Sequence, residues 1–216
     1  MRSKFDEQLL LLNREMVAMG SLCETAIAAS AKALLEGDMK IARSVPETAA
    51  QIEHKEREIE SMCLKLLLQQ QPVARDLRLI SSALKMVTDM ERIGHQSADI
   101  AEIITMAHIS PSDETLNVHD MALAAIHMVT NSIDAFVRKD AAIAKEVIVY
   151  DDVVDGYFDE IKTALIRRFS EPETNGEYAL DLLMIAKYFE RIGDHAVNIA
   201  QWVLFSITGS REGSEP

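Results

Sequence analysis

The sequence predicts an all-α fold: six long helices forming two tandem antiparallel three-helix bundles related by a pseudo-twofold. Three observations carry this. One stretch is written twice, as ALKMVTDMERIGHQSADIAEII at 83–104 and as LLMIAKYFERIGDHAVNIAQWV at 182–203. At an offset of 99 the copies share Glu91/Glu190, Arg92/Arg191, Ile93/Ile192, Gly94/Gly193, Ile100/Ile199 and Ala101/Ala200, and a repeat of that length sets the architecture. Apolar residues recur at spacings of three and four, the period of an amphipathic helix, and no segment alternates like a strand. Finally, Ser110-Pro111-Ser112-Asp113 breaks the pattern near mid-chain. The expected repeats are 3–108 and 116–208, followed by a disordered tail over 209–216.

Helix 1 is expected from Ser3, as N-cap, to Leu35, with Gly37 as its stop. Phe5, Leu9, Leu12, Met16, Met19, Cys23, Ala26, Ser30 and Ala33 form its seam, which has coiled-coil spacing. Cys23 on that seam reads as a small buried hydrophobe. Helix 2 is expected from Asp38 or, after a break, from Pro46 to Gln70, with Ile52, Ile59, Cys63 and Leu66 facing inward. Helix 3, about 72–108, holds the first copy of the repeated stretch. Helix 4, about 116–139, repeats the seam as Met121, Ala125, Met128, Ser132 and Ala135. Asp140 caps helix 5, about 141–169, as Asp38 caps helix 2, and helix 6, about 177–208, holds the second copy. Short connections make neighbouring helices antiparallel. Gly94 and Gly193 are expected where another helix comes close.

Composition narrows the function. Lys and Arg number 22 against 35 Asp and Glu, a formal net charge of −13. A chain this acidic, with no basic run, is poorly suited to nucleic acid or to an anionic membrane surface. No stretch of about 18 uncharged apolar residues occurs, so no membrane insertion is expected. The opening MRSKFDEQ is acidic before it is apolar, unlike a signal peptide. Cys23 and Cys63 form no disulfide or zinc pattern, in keeping with a cytoplasmic setting.

The acids carry the chemistry. In the second copy Glu190, Asp194 and Asn198 stand on one helix face; in the first these positions are Glu91, His95 and Asp99. Helix 2 adds Glu56 and Glu60, and helix 5 adds Asp151 and Asp155, at an offset of 95. Against the offset of 102 between the caps, that implies seven extra residues in helix 2 ahead of its acids, about two turns. Where helices 2 and 3, and helices 5 and 6, pack together, up to four ligands would converge in each half. Oxygen-rich sets with one histidine suit Mg, Mn, Fe or Zn. The competing expectation is solvated acidic faces, with Arg92 and Arg191 as internal partners.

The segments LLLQQQPVARDLRLISSALKMVTDMERIG at 66–94 and Tyr188 to Ala200, with the opening Phe5-Asp6-Glu7-Gln8-Leu9, resemble the PhoU family over about residues 3–208. That resemblance implies two symmetric three-helix bundles and E/D-x-x-x-D motifs that hold divalent or trivalent metal ions. The matching positions are Glu56, Glu60, Glu91, Asp151, Asp155, Glu190 and Asp194. It further implies a homodimer and a negative regulator of phosphate uptake and of the phosphate-starvation response. Such a regulator contacts the ATPase subunit of the phosphate ABC transporter and the sensor histidine kinase. His95 departs from the family, which usually has an acid there, so the first site is expected to be weaker or of different softness.

Two rivals remain beside a non-enzymatic regulator. A metal-dependent phosphoester hydrolase on a helical scaffold finds some support in His119-Asp120, although that pair reads as a solvated capping turn. No histidine has an acid three positions before it, so the ferritin-like Glu-x-x-His signature is missing. No Ser/His/Asp set or Gly-rich phosphate loop is indicated. A purely structural coiled-coil scaffold comes third.

Overall fold

A computed structural model describes residues 2–70, 72–107, 109, 113–168 and 175–210. Among them are six helices and no strand: α1 (Arg2–Glu36), α2 (Met39–Gln70), α3 (Ala74–Ala107), α4 (Asp113–Arg138), α5 (Ala141–Arg168) and α6 (Gly176–Thr208). The expected break at Ser110-Pro111-Ser112 and most of the tail lie outside the described residues, as does the side chain of Ser3.

The helices form where periodicity places them. Every seam residue of α1 from Phe5 to Ala33 is buried except the half-buried Leu9, and the whole α4 seam is buried. Ser30 and Ser132 sit on the seams without penalty, because each hydroxyl donates back into its own helix, to Ala26 O and Ile27 O and to Val129 O. The two interhelix corners are built alike. Asp38 Oδ1 accepts from the backbone N–H of Lys40 and Ile41 at 2.8 and 3.3 Å. Asp140 Oδ1 accepts from Ala142 and Ile143 at the same 2.8 and 3.3 Å. The residue before each cap is left-handed: Gly37 at φ 64° and Lys139 at φ 57°. Pro46 does not start α2. It lies inside the helix, exposed, where the Asp38 cap already holds the first turn.

Topologically, α1, α2 and α3 touch one another, and so do α4, α5 and α6. The halves meet through α3 against α6 and α1 against α4. Exchanging α1 with α4, α2 with α5 and α3 with α6 maps this pattern onto itself, which is the expected pseudo-twofold. The buried residues form one continuous cluster through both halves. Two repeats therefore share a single core.

The glycines of the repeated stretch confirm one expectation and correct another. A Cβ on Gly94 would lie 3.0 Å from Ile52 Cδ1, and one on Gly193 would lie 3.2 Å from Asp151 Oδ1 and 3.3 Å from Val154 Cγ1. Helix α2 or α5 thus packs straight onto the bare backbone. Ile52 and Val154 are 102 apart, like the caps. The offset of 102 holds along both helices, so α2 carries no seven-residue insertion. Glu56 is not the counterpart of Asp151. It sits two turns further toward the α2–α3 connection, because heptad spacing makes offsets of 95 and 102 look alike in apolar pattern.

Candidate metal centre

In the second half α5 and α6 bring Asp151, Asp155, Glu190 and Asp194 together. Burial pushes the Asp151 carboxyl up to about 6, helped by the charges of Asp155, Asp194 and Glu190. Asp155 and Asp194 are raised as well, each by burial first and by Glu190 second. The cluster forms because Gly193 leaves space for the Asp151 carboxylate against α6. One cation already answers it. Lys187 Nζ lies 2.5 Å from Glu190 Oε1, and the same ammonium stands 5.3 Å over the Phe158 ring. Lys187 is not among the expected site residues, although its i, i+3 spacing to Glu190 is a readable signal.

The first half is less complete. Glu56 is raised by burial and by the charges of Glu60 and Glu91. These three acids meet as expected. His95 stands at their edge: Nε2 is 3.9 Å from Glu91 Oε1, and its side chain is half exposed. Asp99 does not join them. Burial and Glu102 raise it, while His95 and Arg191 act to lower it. Its place is a trough of about 750 Å³ along the α3–α6 seam, beside Arg92, Arg191, His195 and Asn198. Arg191 is near enough to lower Asp99, yet among the described residues neither Arg92 nor Arg191 forms an ion pair with these acids, so the arginine partners of the competing expectation are not seen.

Asn198 is also diverted from the acids of α5. Its Nδ2 donates to Asp89 Oδ1 at 3.3 Å, and His195 Nδ1 lies 2.9 Å from the same oxygen. An ionised carboxylate only accepts, so the imidazole donates here. This bridge ties α6 to α3 across the two repeats. At an offset of 99 its counterparts would be Tyr188, Gln96 and Asp99, among which no such bridge forms, and Gln96 Oε1 is left without a partner. Sequence reasoning missed Asp89 because no local spacing links it to residues over a hundred positions away.

The donor chemistry fits a hard cation: seven carboxylates in two groups, with Asp151, Asp155, Asp194 and Glu56 held above the ordinary carboxylate range by desolvation and by their neighbours' charge. The side chains are not closed around a point. Among the described residues no group of three or more His, Cys, Asp or Glu side chains stands ready to hold an ion. Elsewhere, Cys23 is wholly buried and its thiol donates to Met90 O at 3.4 Å, while burial pushes the Cys63 thiol up to about 12. Both are free and inert. His119 lies in the second turn of α4 rather than at a capping turn, with Nδ1 buried and unbonded.

Against this geometry the PhoU domain model matches residues 16–104 and, a second time, residues 118–203. The chain belongs to the PhoU family. A Synechocystis relative named as a phosphate-specific transport system accessory protein PhoU homolog is 33% identical over 213 residues, 98% of this chain and 94% of that protein. A homolog of the same name from Pseudomonas putida is 33% identical over 96% of this chain and 82% of its own. The crystal structure of PhoU from Pseudomonas aeruginosa aligns at a TM-score of 0.89 with 33% identity, covering 95% of this chain and all of that one. PhoU of Streptococcus pneumoniae aligns at a TM-score of 0.89 with 24% identity, covering 97% of this chain and all of that one, and shares the fold. The two matched PhoU segments fall on the two halves that the contact pattern exchanges.

Proposed function

We propose that this PhoU-family chain is an accessory regulator of phosphate-specific transport. It restrains phosphate uptake and the phosphate-starvation response by docking, on the cytoplasmic side, to the transporter's ATPase subunit and to the sensor histidine kinase. It acts by contact and catalyses nothing. The carrying observation is the match of both repeats, over nearly the whole chain, to relatives named as accessory proteins of that transport system. No helix among the described residues is long and apolar enough to cross a membrane, which suits a docking partner of a membrane complex.

In this reading Asp151, Asp155, Glu190 and Asp194 hold a divalent or trivalent cation such as Mg, Mn, Fe or Zn. Glu56, Glu60 and Glu91, with His95, hold a weaker one. A bound cation supplies positive charge where carboxylates otherwise repel one another across α5 and α6. The protein's own part is to aim four carboxylates from two helices at one rim and to release Glu190 from Lys187. Removing Glu190 and Asp194 together should lower the metal content of native protein by about half, since the first group remains. Unchanged metal content would argue against the assignment. For the regulatory role, the test is a phosphate-starvation reporter in phosphate-rich medium. Deleting the gene should switch the reporter on; equally low expression with and without the gene would leave the proposal unsupported.

A further inference from the structure

In a chain of net charge −13, one small cavity brings together three cations, the half-buried Arg78 and the exposed Arg75 and Lys139. It holds about 160 Å³ where the first turns of α3, the end of α4 and the last turn of α6 meet, and its polar walls are Arg75, Asp76, Arg78, Lys139 and Ser206. None of the three cationic side chains makes an ion pair or hydrogen bond within the described residues. Arg78 Nε is cut off from solvent with no acceptor. The Arg78 guanidinium packs within 3.6 Å of the position a Cβ would take on Gly209, whose left-handed φ of 83° closes α6.

These cations are peculiar to one end of the molecule. Arg75 and Arg78 correspond at an offset of 99 to Thr174 and Glu177, and Lys139 corresponds at 102 to Gly37. Lys139 is moreover the one non-glycine with positive φ among the described residues. A lysine is thus kept in a conformation that its counterpart satisfies with glycine.

We infer that this cavity binds a small dianionic oxyanion of the hydrogen phosphate class. Two guanidinium groups offer planar forks to the oxygens and Lys139 adds a point charge. Asp76 accepts the proton that hydrogen phosphate carries and repels sulfate, which carries none. The volume falls below the roughly 300 Å³ at which organic-ligand pockets begin, so a nucleotide does not fit. The inference rests on this cavity alone and stands or falls apart from the regulatory role.

The test is titration of the metal-stripped full chain with inorganic phosphate and, separately, with sulfate, followed by calorimetry and phosphorus NMR. Phosphate should saturate at one ion per chain, with sulfate weaker by about tenfold or more, and Asp76→Asn should erase that preference. Arg78→Gln and Lys139→Gly should each weaken phosphate binding by about tenfold, the loss of one charge-assisted contact. Lys139→Gly should do so while raising the melting temperature, because glycine prefers the backbone conformation there. It therefore carries the test even if Arg78→Gln fails to fold. Arg191→Gln, in the α3–α6 trough, should bind phosphate like the parent. The inference is overturned by absence of saturable binding, by sulfate binding as tightly as phosphate, by full affinity in Lys139→Gly, or by loss of binding in Arg191→Gln.

Discussion

Asp151 keeps its proton at pH values where an ordinary aspartate has lost it, because it is partly buried and faces Asp155, Asp194 and Glu190. A carboxyl whose pKa is raised by folding stabilises the fold below its unfolded value and loses that contribution as pH climbs through its folded value. Here the window runs from the ordinary 3.8 to about 6. Asp155, Asp194 and Glu56 push in the same direction. Metal-free protein should thus be less stable at pH 8 than at pH 5, by about 1–3 kcal/mol once solvent screening is allowed for. Asp151→Asn should remove most of that slope in urea unfolding; an unchanged slope would show that the crowding is relieved some other way. Lys139→Gly is the complementary case and should raise stability by about 0.5–1 kcal/mol, read from the same melts.

Elements were legible where the signal is local. The α1 and α4 seams, the Asp38 and Asp140 caps and the close approach at Gly94 and Gly193 all follow from spacing or backbone chemistry within a few residues. What was illegible depends on which residues of different helices meet. Heptad degeneracy hid the true alignment of α2 with α5. The diversion of Asp99 and Asn198 into the α3–α6 seam depends on how α3 and α6 are each rotated about their own axes, which a row of acids does not specify. Arg75, Arg78 and Lys139 are separated by long stretches and share no motif. The helix glycines give a paired test. Gly156 is exposed, with nothing within 4 Å of where a Cβ would lie, so Gly156→Ala should stabilise by about 0.5–1 kcal/mol. Gly94→Ala gains the same propensity but drives a methyl into Ile52, and should destabilise by about 1–2 kcal/mol net. Thermal melts of both variants decide it; equal shifts of the same sign would mean that α2 yields at Ile52.

At the scale of the whole molecule, one core runs through both repeats. Contacts such as Gly20 against Ile133 join α1 to α4, just as the Asp89–His195 bridge joins α3 to α6. The chain should therefore unfold in a single cooperative transition, with calorimetric and van't Hoff enthalpies in agreement. A fragment covering 1–110 should fail to fold alone, since the α3 and α1 faces that meet the other half would be exposed. Two separated transitions, or a well-folded fragment, would mean that the halves are independent.

The Asp89 bridge has a bearing on how such a molecule diverges. A contact of this kind between two free, identical chains would be formed twice or not at all, and each lost copy would weaken assembly. Joined by a short connection, the two halves meet at an effective concentration on the order of millimolar whatever their mutual affinity. One side of the seam is then free to lose its copy, as Tyr188, Gln96 and Asp99 have. The covalent link has released each repeat from having to recognise its own likeness, so the cavity shared by α3, α4 and α6 and the four-carboxylate rim on α5 and α6 can each occur once in one body.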